Sequence, residues 1–216
     1  MTKTLDEIEH QDELAEFWPT TYPPSCQVVQ FYGRGTNNRY RCFSNFYQHV
    51  EIPFTIPDCC WDRFSRTFTK QQQSNVPRTV NVSFSEASIM LCKAAVMCDY
   101  SSYQKIIHAT TPIEAKNLGR MVANFDQDIW NSVILTVAFE SVYQKFQALD
   151  EQSLHTLLNT GEALIAEAAP GDRIWGVGKR IGHPNCQDPR TWQNGNILGY
   201  ALMKARNILR EEVDIS

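Results

Sequence analysis

From residue 83 onward the apolar residues recur at three- and four-residue intervals, a period suited to a chain of helices that each pack by one face. FDQDIWNSVILTVAFESVYQKFQAL carries it furthest. There Trp130, Val133, Ile134, Val137, Val142 and Phe146 fall on one stripe, which predicts a long, well-buried helix. Start and stop signals divide the rest. Ser83 and Glu86 have capping-box spacing ahead of ASIMLCKAAVM. Thr111-Pro112-Ile113-Glu114 sets an N-cap, a first-turn proline and a capping-box glutamate in order, with Gly119 as a stop. A short helix is expected around Ser153 to Leu158, and NILGYALMKARNIL makes the last amphipathic helix.

Strand signals are shorter. QVVQFY, YRCFSNF, HVEIPF and TVNVSF are brief and partly alternating, and LIAEA with RIWGV reads as a strand pair around the turn APGD. Together these predict a mainly α fold with a small antiparallel β component (α+β). The length of 216 residues suits one domain, drawn here over 27–213. Residues 57–78 show neither period and are read as an insertion or long surface loop. Residues 1–26 form an acidic, partly flexible lead-in: six acids face Lys3 in residues 1–18, a local −5 that leaves +1 of the net −4 for the remainder. Residues 34–93 hold eight bases against four acids, an excess that suits contact with phosphates or an ordinary solvated surface.

Hydrophobic content of 43% with 20% charged residues excludes a disordered chain. No apolar run approaches the eighteen or so residues of a membrane span, and the acidic MTKTLDEIEH lacks an apolar signal core. The expected location is intracellular, cytoplasmic or nuclear, with no membrane partner. Seven cysteines, an odd count with no C-x-x-C pair, fit reduced thiols. The histidines lack metal-ligand spacing, so no metal and no cofactor are expected.

Among residues suited to chemistry, Glu86 and Lys93 stand seven apart on one predicted helix, almost two full turns, and share a face. They converge on a ligand, or Glu86 caps its helix and Lys93 is an exposed helix former. In PGDRIWGVG, Asp172 precedes Trp175 and Gly176 in a segment that could approach a ligand closely or be a bare tight turn. Phe31, Trp130 and Trp175 are stacking candidates or core. Arg120 and Arg206 are candidates for a phosphate clamp.

Taken in order, FY then CFSNF, SEASIMLCKA, AKNLGRM, DIWNSVILTVAFESVYQKF, LLNTG, GDRIWGVG and GNILGYALMKAR resemble the NADAR or YbiA-like family over about residues 28–210. The resemblance implies hydrolysis of N-glycosidic bonds in ribosylated nucleotides. By matching motif it assigns catalysis to Glu86, Lys93 and Asp172. Substrate-contacting positions would be Phe31, Tyr32, Asn45, Gly119, Arg120, Trp130, Trp175, Gly176, Asn196, Gly199 and Arg206. Ala87 and Met90 stand where the family often has His and Gln, and the 57–78 link is longer than usual.

The first functional expectation is removal of ADP-ribose from the amino group of guanine in DNA. The alternative in the same class is an N-glycosidase of ribosylamino-pyrimidine phosphate intermediates of riboflavin biosynthesis, and in another class a non-catalytic ADP-ribose binding module. The partner is accordingly an ADP-ribosylated nucleic acid or a small ribosylated nucleotide. Bond cleavage proceeds either through an oxocarbenium-like centre served by carboxylates or through a ring-opened imine with Lys93 as a Schiff base.

Overall fold

The computed structural model describes residues 27–35, 38–192 and 195–215, so the acidic lead-in lies outside the described residues. In chain order come β1 (Val28–Phe31), a short 3-10 helix (Arg41–Phe43), β2 (Ile52–Thr55), α1 (Asp58–Ser65), α2 (Lys70–Asn75) and β3 (Thr79–Val82). Then follow α3 (Ser85–Val96), α4 (Tyr100–Ile107), α5 (Pro112–Arg120), α6 (Gln127–Asn131), α7 (Ile134–Ala148), α8 (Glu151–Leu158), β4 (Leu164–Glu167) and α9 (Ile197–Ile215). The fold is mainly helical, as the apolar period requires. Among the described residues no helix is long and apolar enough to cross a membrane.

Two compact units result, one of residues 27–44 with 150–215, the other of Asn45–Leu149. In the first, β1 and β4 pair in parallel, Val28 opposite Leu164 through Phe31 opposite Glu167. Apart from Gln30 and Glu167 both strands are apolar and buried, the composition of a parallel pair covered from either side. Helix α9 packs on β4, and α8 on α9. Phe31 is fully buried with its ring edge-on to Phe43, centroids 5.5 Å apart.

In the second unit β2 and β3 form the antiparallel pair, Ile52 opposite Val82. Helix α3 runs through its core: ten of its twelve residues are buried, and α1, α4, α5 and α7 all pack on it. A helix apolar on nearly every side is stable only in such a place. It stops in a Schellman-type turn, with Asp99 N–H donating to the Ala94 carbonyl, Cys98 N–H to the Ala95 carbonyl and Cys98 itself at φ 57°.

Several expectations are corrected. RIWGV is not a strand, because Asp172 Oδ1 accepts the N–H groups of Ile174 (3.0 Å) and Trp175 (2.9 Å) and curls the chain into a turn. YRCFSNF yields only the 3-10 helix Arg41–Phe43. The long helix is two, since Ser132 Oγ donates to the Ile129 carbonyl at 2.7 Å and Val133 closes on Trp130, ending α6 before α7 begins. Residues 57–78 are no loop: Cys60 and Phe64 bury one face of α1 against α3, and Thr69 with Gln72 forms a capping box for α2. The Ser83 capping box does not form, because α3 starts at Ser85 with Phe84 as its N-cap. Gly119 does not stop its helix, which runs to Arg120.

Candidate active site

Helix α3 puts Glu86 in its first turn and Lys93 near its last, about 10 Å apart along the axis. Glu86 is buried at 7% exposure, and its N–H is taken not by a side-chain cap but by the Asn45 carbonyl at 3.0 Å. A carboxylate in a first turn also meets the positive end of the helix dipole. Asn45 is itself buried, and its Oδ1, like Ser85 Oγ beside Glu86, has no hydrogen-bond partner among the described residues. Buried acceptors and donors left open in this way are costly unless water or a ligand meets them.

Lys93 is half-buried, and three neighbours define its electrostatics. Burial, then the Arg120 guanidinium, lower its proton affinity below the usual lysine range, against a smaller opposing pull from Glu86. Its Nζ lies 4.3 Å from the centre of the Phe125 ring. Arg120 is the last residue of α5 and is exposed. Gly119 lets α5 approach α3: a Cβ there would come within 1.8 Å of Met90 Sδ. Met90 thus fills the space that Gly119 leaves one residue before Arg120. Trp130 is buried at 7% exposure in α6, so it belongs to the core around this group.

The remaining sequence-predicted residues lie in the other unit, where they hold backbone together. The carbonyls of Ile174, Trp175 and Gly176 accept from Ile197, Leu198 and Asn196 and so satisfy N–H groups at the start of α9. Asn196 is fully buried; its Oδ1 accepts from Glu167 N–H at 2.9 Å and its Nδ2 donates to the Ile165 carbonyl at 2.8 Å. Gly199 brings α9 onto β4, because a Cβ there would lie 2.1 Å from the Ile165 carbonyl oxygen. Gly176 is also close-packed, with the Glu167 carbonyl oxygen 2.6 Å from a would-be Cβ.

Arg206, expected as a phosphate clamp, is a buried brace here: its Nη1 donates to Thr160 Oγ1 (2.9 Å) and to the Ala163 carbonyl (2.7 Å). Phe31, with no exposed surface, offers no face for stacking. Tyr32 is 52% exposed, and Trp175 is half-buried. Asp172 is partly exposed, with Oδ1 committed to its own turn.

Sequence reasoning passed over Phe125 as part of a helix. The signal available was Asn124-Phe125 just after a helix end, since asparagine is a residue that accepts a left-handed backbone, and Asn124 has φ 54°.

A profile of the NADAR domain matches residues 30–210. The chain belongs to the NADAR domain family. Among NADAR relatives, N-glycosidase R617 of Acanthamoeba polyphaga mimivirus is 33% identical over 121 residues, which is 56% of this chain and 71% of that protein. Protein irg-1 of Caenorhabditis elegans is 30% identical over 127 residues, 58% of this chain and 59% of the relative. N-glycosidase Npun_R5314 of Nostoc punctiforme is 29% identical over 178 residues, 82% and 90% of the two chains. The solution NMR structure of Escherichia coli YbiA shares the fold, with a TM-score of 0.59 at 23% identity over 89% of this chain and 90% of YbiA.

Proposed function

We propose that this NADAR chain, a hydrolase of the N-glycosidase class, removes ADP-ribose from the amino group of guanine in DNA, with Glu86 and Lys93 as its catalytic residues. The observation that carries the reading is the pairing on α3 of a buried carboxylate with a lysine whose proton affinity is depressed by burial and by Arg120. A lysine of that kind holds more of the neutral amine near neutrality than a solvated one, and the neutral amine is the nucleophile.

An amino-linked ribose can open so that C1″ becomes an imine carbon bonded to the guanine nitrogen, with the ring oxygen as a hydroxyl. Lys93 Nζ adds to that carbon and passes one of its protons to the guanine nitrogen, which leaves as the free amino group with a second proton from Glu86. A lysine Schiff base remains. Water then adds to C1″, Glu86 takes a proton from it, and the C1″–Nζ bond breaks. The products are free guanine in DNA and ADP-ribose, and the lysine is regenerated. Arg120, beside Lys93, suits a phosphate of the pyrophosphate, and the basic excess in residues 34–93 supports a polyanionic substrate.

The test is a DNA oligonucleotide carrying ADP-ribose on one guanine, followed by mass spectrometry. Wild-type protein releases ADP-ribose and unmodified DNA, and Glu86→Gln and Lys93→Ala do not; intact substrate with active, folded protein refutes the DNA reading. Borohydride during turnover should trap an adduct on Lys93, and its absence under effective trapping refutes the imine route. Steep salt dependence supports the polymer, whereas flat dependence points to the ribosylamino-pyrimidine phosphates. The family likeness adds Asp172 as a proton-transfer candidate. Asp172→Asn keeps the oxygen that accepts from Ile174 and Trp175, so it tests the charge alone.

A further inference from the structure

Phe125 is a large aromatic side chain 44% exposed, between two helices of the Asn45–Leu149 unit. A single exposed phenylalanine needs no explanation by itself. Its backbone, however, is fixed on both sides. Ahead of it, Ala123 N–H donates to Asp99 Oδ2 at 2.8 Å, and Asn124 takes a left-handed conformation that few side chains adopt. Behind it, Asp126 N–H points at Met97 Sδ at 3.3 Å, and Asp126 Oδ1 caps α6 by accepting from Asp128 and Ile129. These contacts pin a short connection whose outward product is one ring, and Lys93 Nζ sits 4.3 Å from its centre.

We propose that Phe125 is a positioning residue whose ring face is the seat from which the Lys93 amine acts. The inference rests on the catalytic reading of Lys93 given above. An aromatic face attracts an ammonium through its quadrupole and has no such hold on a neutral amine. The charged lysine is therefore kept in one rotamer on the ring, and loss of the proton that makes it nucleophilic also releases it toward substrate. The charges that set its proton affinity are Arg120 on α5, which lowers it, and Glu86 on its own helix, which raises it. The ring opposes Arg120 and acts with Glu86, so removing it leaves the ammonium less favoured.

The direct test follows the Lys93 side chain by NMR titration in the full-length protein, assigned with Lys93→Arg, in wild type, Phe125→Leu and Phe125→Tyr. In Phe125→Leu the proton affinity of Lys93 should fall about threefold, the size of an exposed cation–π contact, and Phe125→Tyr should restore it. The acid limb of the kcat/KM profile should move to lower pH in step. An unmoved titration in Phe125→Leu, or a raised KM with an unchanged pH profile, overturns the proposal, the latter because the ring would then be meeting substrate. The titration does not depend on turnover. An unmoved midpoint with Lys93→Ala inactive sinks the positioning role alone, whereas a moved midpoint with Lys93→Ala fully active sinks the catalytic reading on which it rests.

Discussion

In the Asn45–Leu149 unit the residues that mark the family present charge, with Glu86 buried in the first turn of α3 and Lys93 held among Phe125, Arg120 and Glu86. In the unit of residues 27–44 and 150–215, equally recognisable residues are spent on backbone: Asn196 clips β4, Gly199 admits it to α9, and Arg206 braces the turn after α8. A motif residue can thus be fixed by the atom it must offer or by the space and hydrogen bonds it must supply. Substitution separates the two, because the first kind costs activity at constant stability and the second costs stability at constant activity per folded molecule.

The largest effect is expected at α3. Glu86→Gln and Lys93→Ala should each lower kcat/KM by roughly 10²–10⁴-fold, the range of a lost proton-transfer or covalent group, with a Tm within a few degrees of wild type. A Tm collapse matching the activity loss would place these residues with the architectural set instead. For Gly199→Ala the order reverses. Its Cβ would meet the Ile165 carbonyl oxygen and the Asn196 side chain, which two hydrogen bonds hold in place, so about 3 kcal/mol of stability should disappear in urea unfolding. Activity normalised to folded protein should hold, and a stable but inactive variant would move Gly199 into the site.

How much of this division was legible beforehand follows from what each residue answers to. The period of α3, its Glu86–Lys93 spacing and the Thr111-Pro112 start of α5 were readable because they depend on neighbours a few residues away. The parallel pairing of β1 with β4 was not. Val28 and Leu164 are far apart in sequence, and nothing local to either names the partner. RIWGV misled for a related reason: its apolar alternation is real, but Asp172 Oδ1 captures the N–H groups a ladder would need. Cys60 and Phe64 at four-residue spacing did carry the period of a buried helix face, in a stretch whose polar residues obscured it. At the site, charge could be anticipated from residue type. The brace made by Arg206 could not, since a guanidinium serves a phosphate and a carbonyl equally well.

Arg206→Leu should cost about 2 kcal/mol, because the Ala163 carbonyl and Thr160 lose a buried donor together. Substrate KM should not change, and a raised KM at unaltered stability would restore the phosphate clamp. A pH effect of similar size belongs to His49. Burial, with the Lys145 charge adding to it and a hydrogen bond to the Val50 carbonyl opposing, lowers its pKa from 6.5 to about 4. Below pH 6.5 the unfolded chain takes up the proton first. The His49 contribution is therefore full above about 6.5, falls as pH drops, and is gone by about 4, about 3 kcal/mol before screening of the part-exposed ring and roughly 2 kcal/mol after it. Unfolding of His49→Gln should be flatter over that window, and an equally steep curve would assign the acid sensitivity elsewhere.

The smallest expected effect is the sharpest for the comparison, because Gly119 is architectural in kind but stands next to Arg120. In Gly119→Ala the new Cβ meets Met90 Sδ and Cγ, the atoms of a flexible side chain rather than backbone, so Met90 can turn aside and the stability cost should be only about 1 kcal/mol. The end of α5 would shift with it, and Arg120 is the group whose charge helps depress the proton affinity of Lys93. The acid limb of the pH–rate profile should therefore move to higher pH by more than the stability change alone would suggest. Met90→Ala in the same chain removes the obstructing atoms, so the double variant should recover both the stability and the profile, with a coupling of about 1 kcal/mol in the cycle. If the double variant recovers stability while the profile stays displaced, the seating of Arg120 does not depend on the contact between α3 and α5. If neither recovers, the two helices meet at that point through something other than the space that Gly119 leaves for Met90.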